Sequence, residues 1–316
     1  MIGFSKTKKI KTEFLVPDKL KNIRLDKLLC QYHTCLTRKQ AALIIQQNQI
    51  LVNQQTKKPG YRVQSGDMVS GHISESKADK DPVAENIPTD IVFEDEHILV
   101  INKNAGMVVH PAHGNPSGTL VNALLYHNPE MRDIGEEKHR IGIVHRLDKD
   151  TSGLMVVAKT EQAKNFLQKE FRERRVKKTY LALITGNPAH NKGIIDLPVG
   201  RHPVKKIIMA VNHDTGKAAI TQWEVKKRFK NACLLEIALK TGRTHQIRVH
   251  LYSMGYPLIG ESVYTPARLR KQKKAALRQM LHASALSFIH PYSGVRMHFN
   301  SEVPQDFSDT MALLEV

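Results

Sequence analysis

The chain has 316 residues, with 48 Lys+Arg against 30 Asp+Glu and a net charge of +18. Its length suggests two domains, and its 41% hydrophobic residues supply a core, which excludes wholesale disorder. The longest apolar runs are strand-sized, far short of the ~20 residues that span a bilayer, and the lysine-rich first eleven residues do not read as a signal peptide.

Residues 1–80 carry 15 Lys+Arg and 6 Asp+Glu, a surplus of 9 and so half of the total. Leu25, Leu28 and Leu29 stand at i, i+3 and i+4 and predict an amphipathic helix over 24–32. Thr37 as N-cap, with Ala41, Ala42, Ile44 and Ile45 as an apolar side, predicts a second helix over 38–48. A strand at 50–53, turns at Pro59-Gly60 and Gly66-Asp67, and a further short strand complete a small α+β module. Residues 74–90 are polar, hold two prolines and read as a linker. The division expected is 14–75, a linker at 76–90, and 91–316.

From Ile91 onward short strands are predicted at 91–95, 97–103, 153–159, 179–186, 206–211, 220–225 and 232–239. Helices are few, at 120–126, 161–175 and 244–254. Irregular spacing with few helices predicts a strand-rich α+β domain rather than a regular βαβ fold. The three cysteines, Cys30, Cys35 and Cys233, lack CxxC spacing, which argues against a disulfide framework or structural zinc and for a reduced, cytoplasmic setting. The positive charge calls for a polyanionic partner, nucleic acid before membrane, since no basic amphipathic anchor or lipidation motif is present.

The most informative stretch is 141–160, IGIVHRLDKDTSGLMVVAKT, in which a polar turn from His145 to Gly153 joins two apolar segments. A loop held between strands is where a rigid scaffold presents catalytic groups. An isolated HRLD tetrapeptide would more often be a turn with a surface cation. The whole segment, however, resembles the signature of the RluA family of pseudouridine synthases, whose catalytic aspartate lies in HRLD. Three further blocks are similar to that family: KTGRTHQIRVHL at 240–251, KKTYLALI at 177–184 and HASALSFIHP at 282–291. The first 75 residues resemble an S4 RNA-binding domain. The stretches 109–123 and 201–211 resemble the RluD type, which modifies large-subunit ribosomal RNA.

The resemblance implies a small S4-like α+β module followed by a mixed, mainly antiparallel β-sheet catalytic domain. It implies isomerisation of specific uridines in 23S ribosomal RNA, in helix 69, on free RNA or a pre-ribosomal particle, by a cytoplasmic monomer with no cofactor and no metal. Asp148 is the implied catalytic carboxylate, either attacking C1′ or removing a proton from C2′ to give a glycal. Both routes need an ionised carboxylate in a closed site, and Arg248 is the implied fixed cation. Tyr180 matches the tyrosine that packs against the target base and assists proton removal from C5. Arg146 matches the arginine that fills the space left by an extruded base, with a salt bridge to Asp148 as its other reading. His145 reads as structural.

RNA contacts are expected from Arg24, Lys27, Arg38 and Lys39 at the starts of the first two helices, and from Lys177 and Lys178 beside Tyr180. Residues 266–280 hold six cations and no acid, and suggest a mobile RNA-touching segment. The pairs His110/His113 and His245/His250 lack accompanying acidic or cysteine ligands, so no metal is expected. Three positions depart from the family pattern: Asn22 at a frequent glycine position, Asn104 where proline is usual, and Glu261 for an aspartate. None is expected to touch the catalytic residues. Two rival readings are an RNA-binding module without catalysis, and a hydrolase that would need Asp150 as second carboxylate.

Overall fold

The chain divides between Asp81 and Pro82 into two units, and among the described residues the first holds one apolar cluster and the second holds four. The computed structural model describes residues 9–33, 36, 38–74, 81–112, 114–135, 137–205, 207–266 and 276–315.

The first unit comprises β1 (Lys9–Leu15), α1 (Leu25–Tyr32), α2 (Arg38–Gln46), β2 (Ile50–Val52), β3 (Gln55–Thr56) and β4 (Met68–Ser74). Its strands form an antiparallel sheet in the order β1-β4-β2-β3. β1, absent from the sequence reading, starts this sheet ahead of residue 14. Leu25, Leu28 and Leu29 of α1 and Ala41, Ile44 and Ile45 of α2 pack with Ile50, Val52, Val69 and Ile73 of the sheet. The proposed N-cap Thr37 lies outside the described residues. Asn22 has φ 65°, the left-handed conformation that glycine adopts freely and asparagine tolerates. Its N–H donates to the Val63 carbonyl at 2.7 Å, and Arg62 donates to the Asn22 carbonyl at 2.8 Å.

The second unit comprises β5 (Asp90–Glu94), β6 (Ile98–Lys103), α3 (Leu120–His127), β7 (Ser152–Ala158), α4 (Glu161–Arg172), β8 (Lys177–Thr185), β9 (Lys192–Asp196), β10 (Val199–Arg201), β11 (Met209–Val211), β12 (Ile220–Arg228), β13 (Ala232–Leu239), α5 (Gln246–Ser253), β14 (Leu281–Ile289), β15 (Arg296–Asn300) and α6 (Gln305–Glu315). Among the described residues, nine strands form one mixed sheet in the order β5-β6-β7-β14-β8-β13-β12-β9, with β15 also on β14. Every pair is antiparallel except β14 with β7.

The apolar runs of β6 and β7 are continuous because both faces are covered. Leu99, Ile101, Met155 and Val157 pack under α3, whereas Ile98, Val100, Leu154 and Val156 pack under α4. Residues 82–89, in the expected linker, carry no helix or strand and are tied to this unit. Asn122 donates to the Val83 carbonyl at 2.7 Å, and the Glu85 N–H to the Asn122 carbonyl at 3.0 Å.

α4 ends before the predicted residue 175, ahead of Arg174 at φ 61°, and α5 starts after His245 at φ 56°. α6 had no sequence prediction. Among the described residues, no helix is long and apolar enough to cross a membrane. Ile143 bridges antiparallel to Val157, after which the chain turns through 145–151 and enters β7. Gly153 has φ 117°, and a Cβ there would lie 2.3 Å from the Ala283 carbonyl oxygen, so only glycine lets β7 meet β14.

Candidate active site

The turn at 145–151 is fixed through its backbone. The Asp148 carbonyl accepts from the Thr151 N–H at 3.1 Å, and that of Lys149 from the Gly106 N–H at 2.9 Å. Arg278 donates to the Asp150 carbonyl at 3.0 Å. The fully buried Lys103 ammonium donates to the carbonyls of Lys149 at 3.1 Å, Met107 at 2.9 Å and Asn104 at 2.7 Å. Burial pulls Lys103 down to about 7, against the opposing pull of Asp150 and Asp148. Asn104 thus serves this bond through its main chain.

A cavity of about 490 Å³ opens beside the turn, walled by Arg146, Asp148, Lys178, Tyr180, His245 and Arg248. The Asp148 side chain is 16% exposed and its Oδ2 accepts from Arg248 Nη1 at 3.1 Å. On its other side Arg248 donates through Nε and Nη2 to the two carboxylate oxygens of buried Glu261, both at 2.8 Å. The expectation that none of the three departures touches a catalytic candidate is therefore corrected. Glu261 reaches Arg248 because Gly260, at φ 77°, passes the Arg278 carbonyl where a Cβ would lie only 1.8 Å away. Burial opposes both charges, but the pair outweighs it, holding Arg248 above and Glu261 below their ordinary values.

Tyr264 organises the same corner. Its hydroxyl oxygen accepts from the Met209 N–H at 3.0 Å and pairs with His245 Nδ1 at 2.7 Å. The hydroxyl proton then finds its acceptor in Nδ1, which assigns the ring proton to Nε2, 3.8 Å from Asp148 Oδ2. Burial lowers the His245 pKa despite the opposing pull of Asp148, so the ring is neutral at pH 7. The Arg248 guanidinium lies 5.2 Å from the Tyr264 ring centre.

Tyr180, on β8 opposite Ile237 of β13, is buried in the cavity wall. Burial, and then the charge of Asp148, push its pKa far up and keep it a neutral phenol. Arg146 is exposed on the rim and makes no hydrogen bond or ion pair among the described residues. The salt bridge to Asp148 that its sequence left open is absent, and Arg248 holds that place. His145 accepts from the Val156 N–H at 3.1 Å and stacks on Phe171, with burial pulling it down to about 3.

Lys178 lines the cavity and is drawn down to about 8 by burial, whereas Lys177 is exposed outside the lining. In the first unit, Arg24 and Arg38 converge on buried Asp26, at 2.8 and 3.5 Å, and Lys27 is exposed. The Lys39 side chain, His113 and residues 267–275 lie outside the described residues. Arg278, the last cation of the basic stretch, is structural: it grips Asp306 at 2.6 and 2.8 Å besides the Asp150 carbonyl.

Sequence reasoning missed Glu261, Tyr264, His245 and Lys103 as parts of this site. An acid retained in place of the family aspartate was the one signal for Glu261.

Residues 97–253 match the RNA pseudouridylate synthase family, and residues 23–69 match the S4 domain. A ribosomal large subunit pseudouridine synthase D from Nitrosomonas europaea is 41% identical, over 94% of this chain and 86% of its own length. One of the same name from Pseudomonas aeruginosa is 42% identical over 95% and 94%. The solved structure of human RNA pseudouridylate synthase domain containing 1 is 27% identical, with a TM-score of 0.57 over 70% of this chain and 86% of that one. The chain belongs to the RNA pseudouridylate synthase family, as an S4 domain followed by a catalytic isomerase domain.

Proposed function

We propose that this enzyme isomerises uridines of 23S ribosomal RNA to pseudouridine, in helix 69, using Asp148 and no cofactor. The observation that carries the reading is the Asp148 carboxylate, paired with Arg248 inside a cavity walled by Tyr180. The names of the relatives support the ribosomal substrate.

A uridine turned out of its stack costs a few kcal/mol, and the Arg146 guanidinium, unpaired among the described residues, can occupy the gap. The base then packs on the neutral Tyr180 ring. Asp148 either bonds to C1′ or takes the C2′ proton, and the N1–C1′ bond breaks. The uracil turns, C5 bonds to C1′ as Asp148 leaves C1′ or returns the proton to C2′, and the C5 proton is lost as N1 gains one. Arg248 keeps the carboxylate charged for the first step and favours its return to that form when C5 bonds to C1′. Neither atoms nor electrons are gained, so no redox group or co-substrate is required.

Asp148 is the single carboxylate lining the cavity among the described residues, which disfavours a hydrolase with two carboxylates. The S4 unit, through Arg24, Lys27, Arg38 and Lys39, with Lys177 and Lys178 near the site, supplies the grip on phosphates. We place the enzyme in the cytoplasm as a monomer, on free RNA or a pre-ribosomal particle.

Asp148→Asn is expected to lower pseudouridine formation below about one-thousandth, with RNA affinity within about threefold of wild type. Retained turnover would sink the assignment. Pseudouridine mapping in cells with and without the gene tests helix 69, and loss at other sites alone would reject it. Free uracil instead of product of unchanged mass would mark a hydrolase.

A further inference from the structure

A second cavity, of about 530 Å³, lies on the other side of the segment 144–146. Val144, His145 and Arg146 wall both cavities, so Arg146 stands on their common border. The second is lined further by His110, Arg140, Lys164 and Gln168. Its volume falls in the range of ordinary small-ligand pockets, roughly 300–1,000 Å³, and admits a nucleotide.

Two buried polar groups here are under-partnered. Lys164 is 6% exposed, and among the described residues its ammonium donates only to the Ile134 carbonyl, at the long distance of 3.5 Å. Its chain crosses Gly135, where a Cβ would lie 1.7 Å from Nζ. His110 is 7% exposed, and its Nδ1 has no hydrogen-bond partner among the described residues. Burial first, then the guanidiniums of Arg146 and Arg140, pull this ring down to about 4, so it is a neutral group among cations. Among the described residues the two carboxylates on the lining are engaged: Glu137 with Arg140 at 3.2 Å, and Glu161 with Asn165 at 3.3 Å. A buried ammonium with one long hydrogen bond leaves most of its donor capacity unmet, which an anionic oxygen would satisfy.

We infer that this cavity holds the nucleotide adjacent to the target uridine in the RNA strand, with its phosphate on Lys164 and flanked by Arg140 and Arg146. The inference rests on the reading of the first cavity as the uridine site. A strand crossing Arg146 leaves one nucleotide on each side, the target beside Asp148 and its neighbour beside Lys164. Arg146 then separates two bases that were stacked on each other.

The test uses the full chain and a 23S ribosomal RNA transcript. Lys164→Gln is expected to flatten the log–log salt dependence of binding by about 0.7–0.9, the share of one phosphate contact. KM should rise about three- to tenfold, with kcat falling less than threefold, and Lys164→Arg should restore the slope. If Lys164→Gln melts more than about 5 °C below wild type, Arg140→Gln on the exposed rim decides instead, with the same slope change expected. An unchanged slope in the deciding variant overturns the inference, as does a fall in kcat with KM constant. A wild-type chain that binds the transcript but forms no pseudouridine would instead reject the functional reading, since the slope is measured by binding alone.

Discussion

The guanidinium of Arg248 is shared by two carboxylates, and only one of them faces the cavity. Glu261 takes Nε and Nη2 from behind, which leaves Nη1 aimed at Asp148. Removing one partner of a buried pair typically costs about 3–5 kcal/mol. Glu261→Ala is therefore expected to lose stability of that order in urea unfolding, and turnover by at least about tenfold. Glu261→Asp should keep most of both. Wild-type stability and turnover in Glu261→Ala would show that Asp148 alone orients the arginine. The Asp148–Arg248 pair was legible in the sequence because each sits in a distinctive block of residues. Its support was not: Glu261 and Tyr264 act through reach and burial, which depend on the turn at Gly260 rather than on residue type.

Among the elements, β7 carries a tight constraint, and the turn bearing Asp148 runs directly into it. Gly153→Ala puts a side chain at φ 117° and 2.3 Å from the Ala283 carbonyl oxygen. A loss of at least about 2–3 kcal/mol in urea unfolding is expected, through distortion of the β7–β14 pairing. Unfolding at the wild-type midpoint would mean that the two strands can part without cost. The strands β5, β6, β7, β8, β11, β12 and β13 were readable as apolar segments between turn signals. Which of them lie side by side was not, because register between strands far apart in sequence leaves no periodic trace. α6 escaped for a different reason: with only Phe307 and Thr310 buried, its apolar stripe is too narrow to read.

Across the second unit as a whole, the histidines set the response to acid. His110, His145, His245, His250 and His282 are all held below the ordinary imidazole value, in each case chiefly by burial. The unfolded chain takes up protons near pH 6.5 that the folded one refuses. Their contribution to stability is thus complete above about pH 6.5 and is lost as pH falls below it, down to about 4 for His110 and about 3 for His145, by at most about 1.4 kcal/mol per pH unit for each group. Urea midpoints should fall steadily from pH 7 to pH 5, and less steeply in His145→Gln. A flat profile over that interval would contradict the neutral, buried state of these rings.

The strand order has a consequence for how the enzyme comes into being. Before β14 is made, the sheet consists of two separate halves, β5-β6-β7 and β8-β13-β12-β9. The turn bearing Asp148 leads into the first half, while Tyr180 lies in the second and Arg248 follows it from β13. β14 enters between β7 and β8 and joins them, although among the described residues it is made after every other strand of the sheet but β15. Such distant pairing is slow to form. The nascent protein therefore carries two open sheet edges, with Asp148 apart from Tyr180 and Arg248, until residues 281–289 have emerged, and this is the interval in which it most needs protection from aggregation.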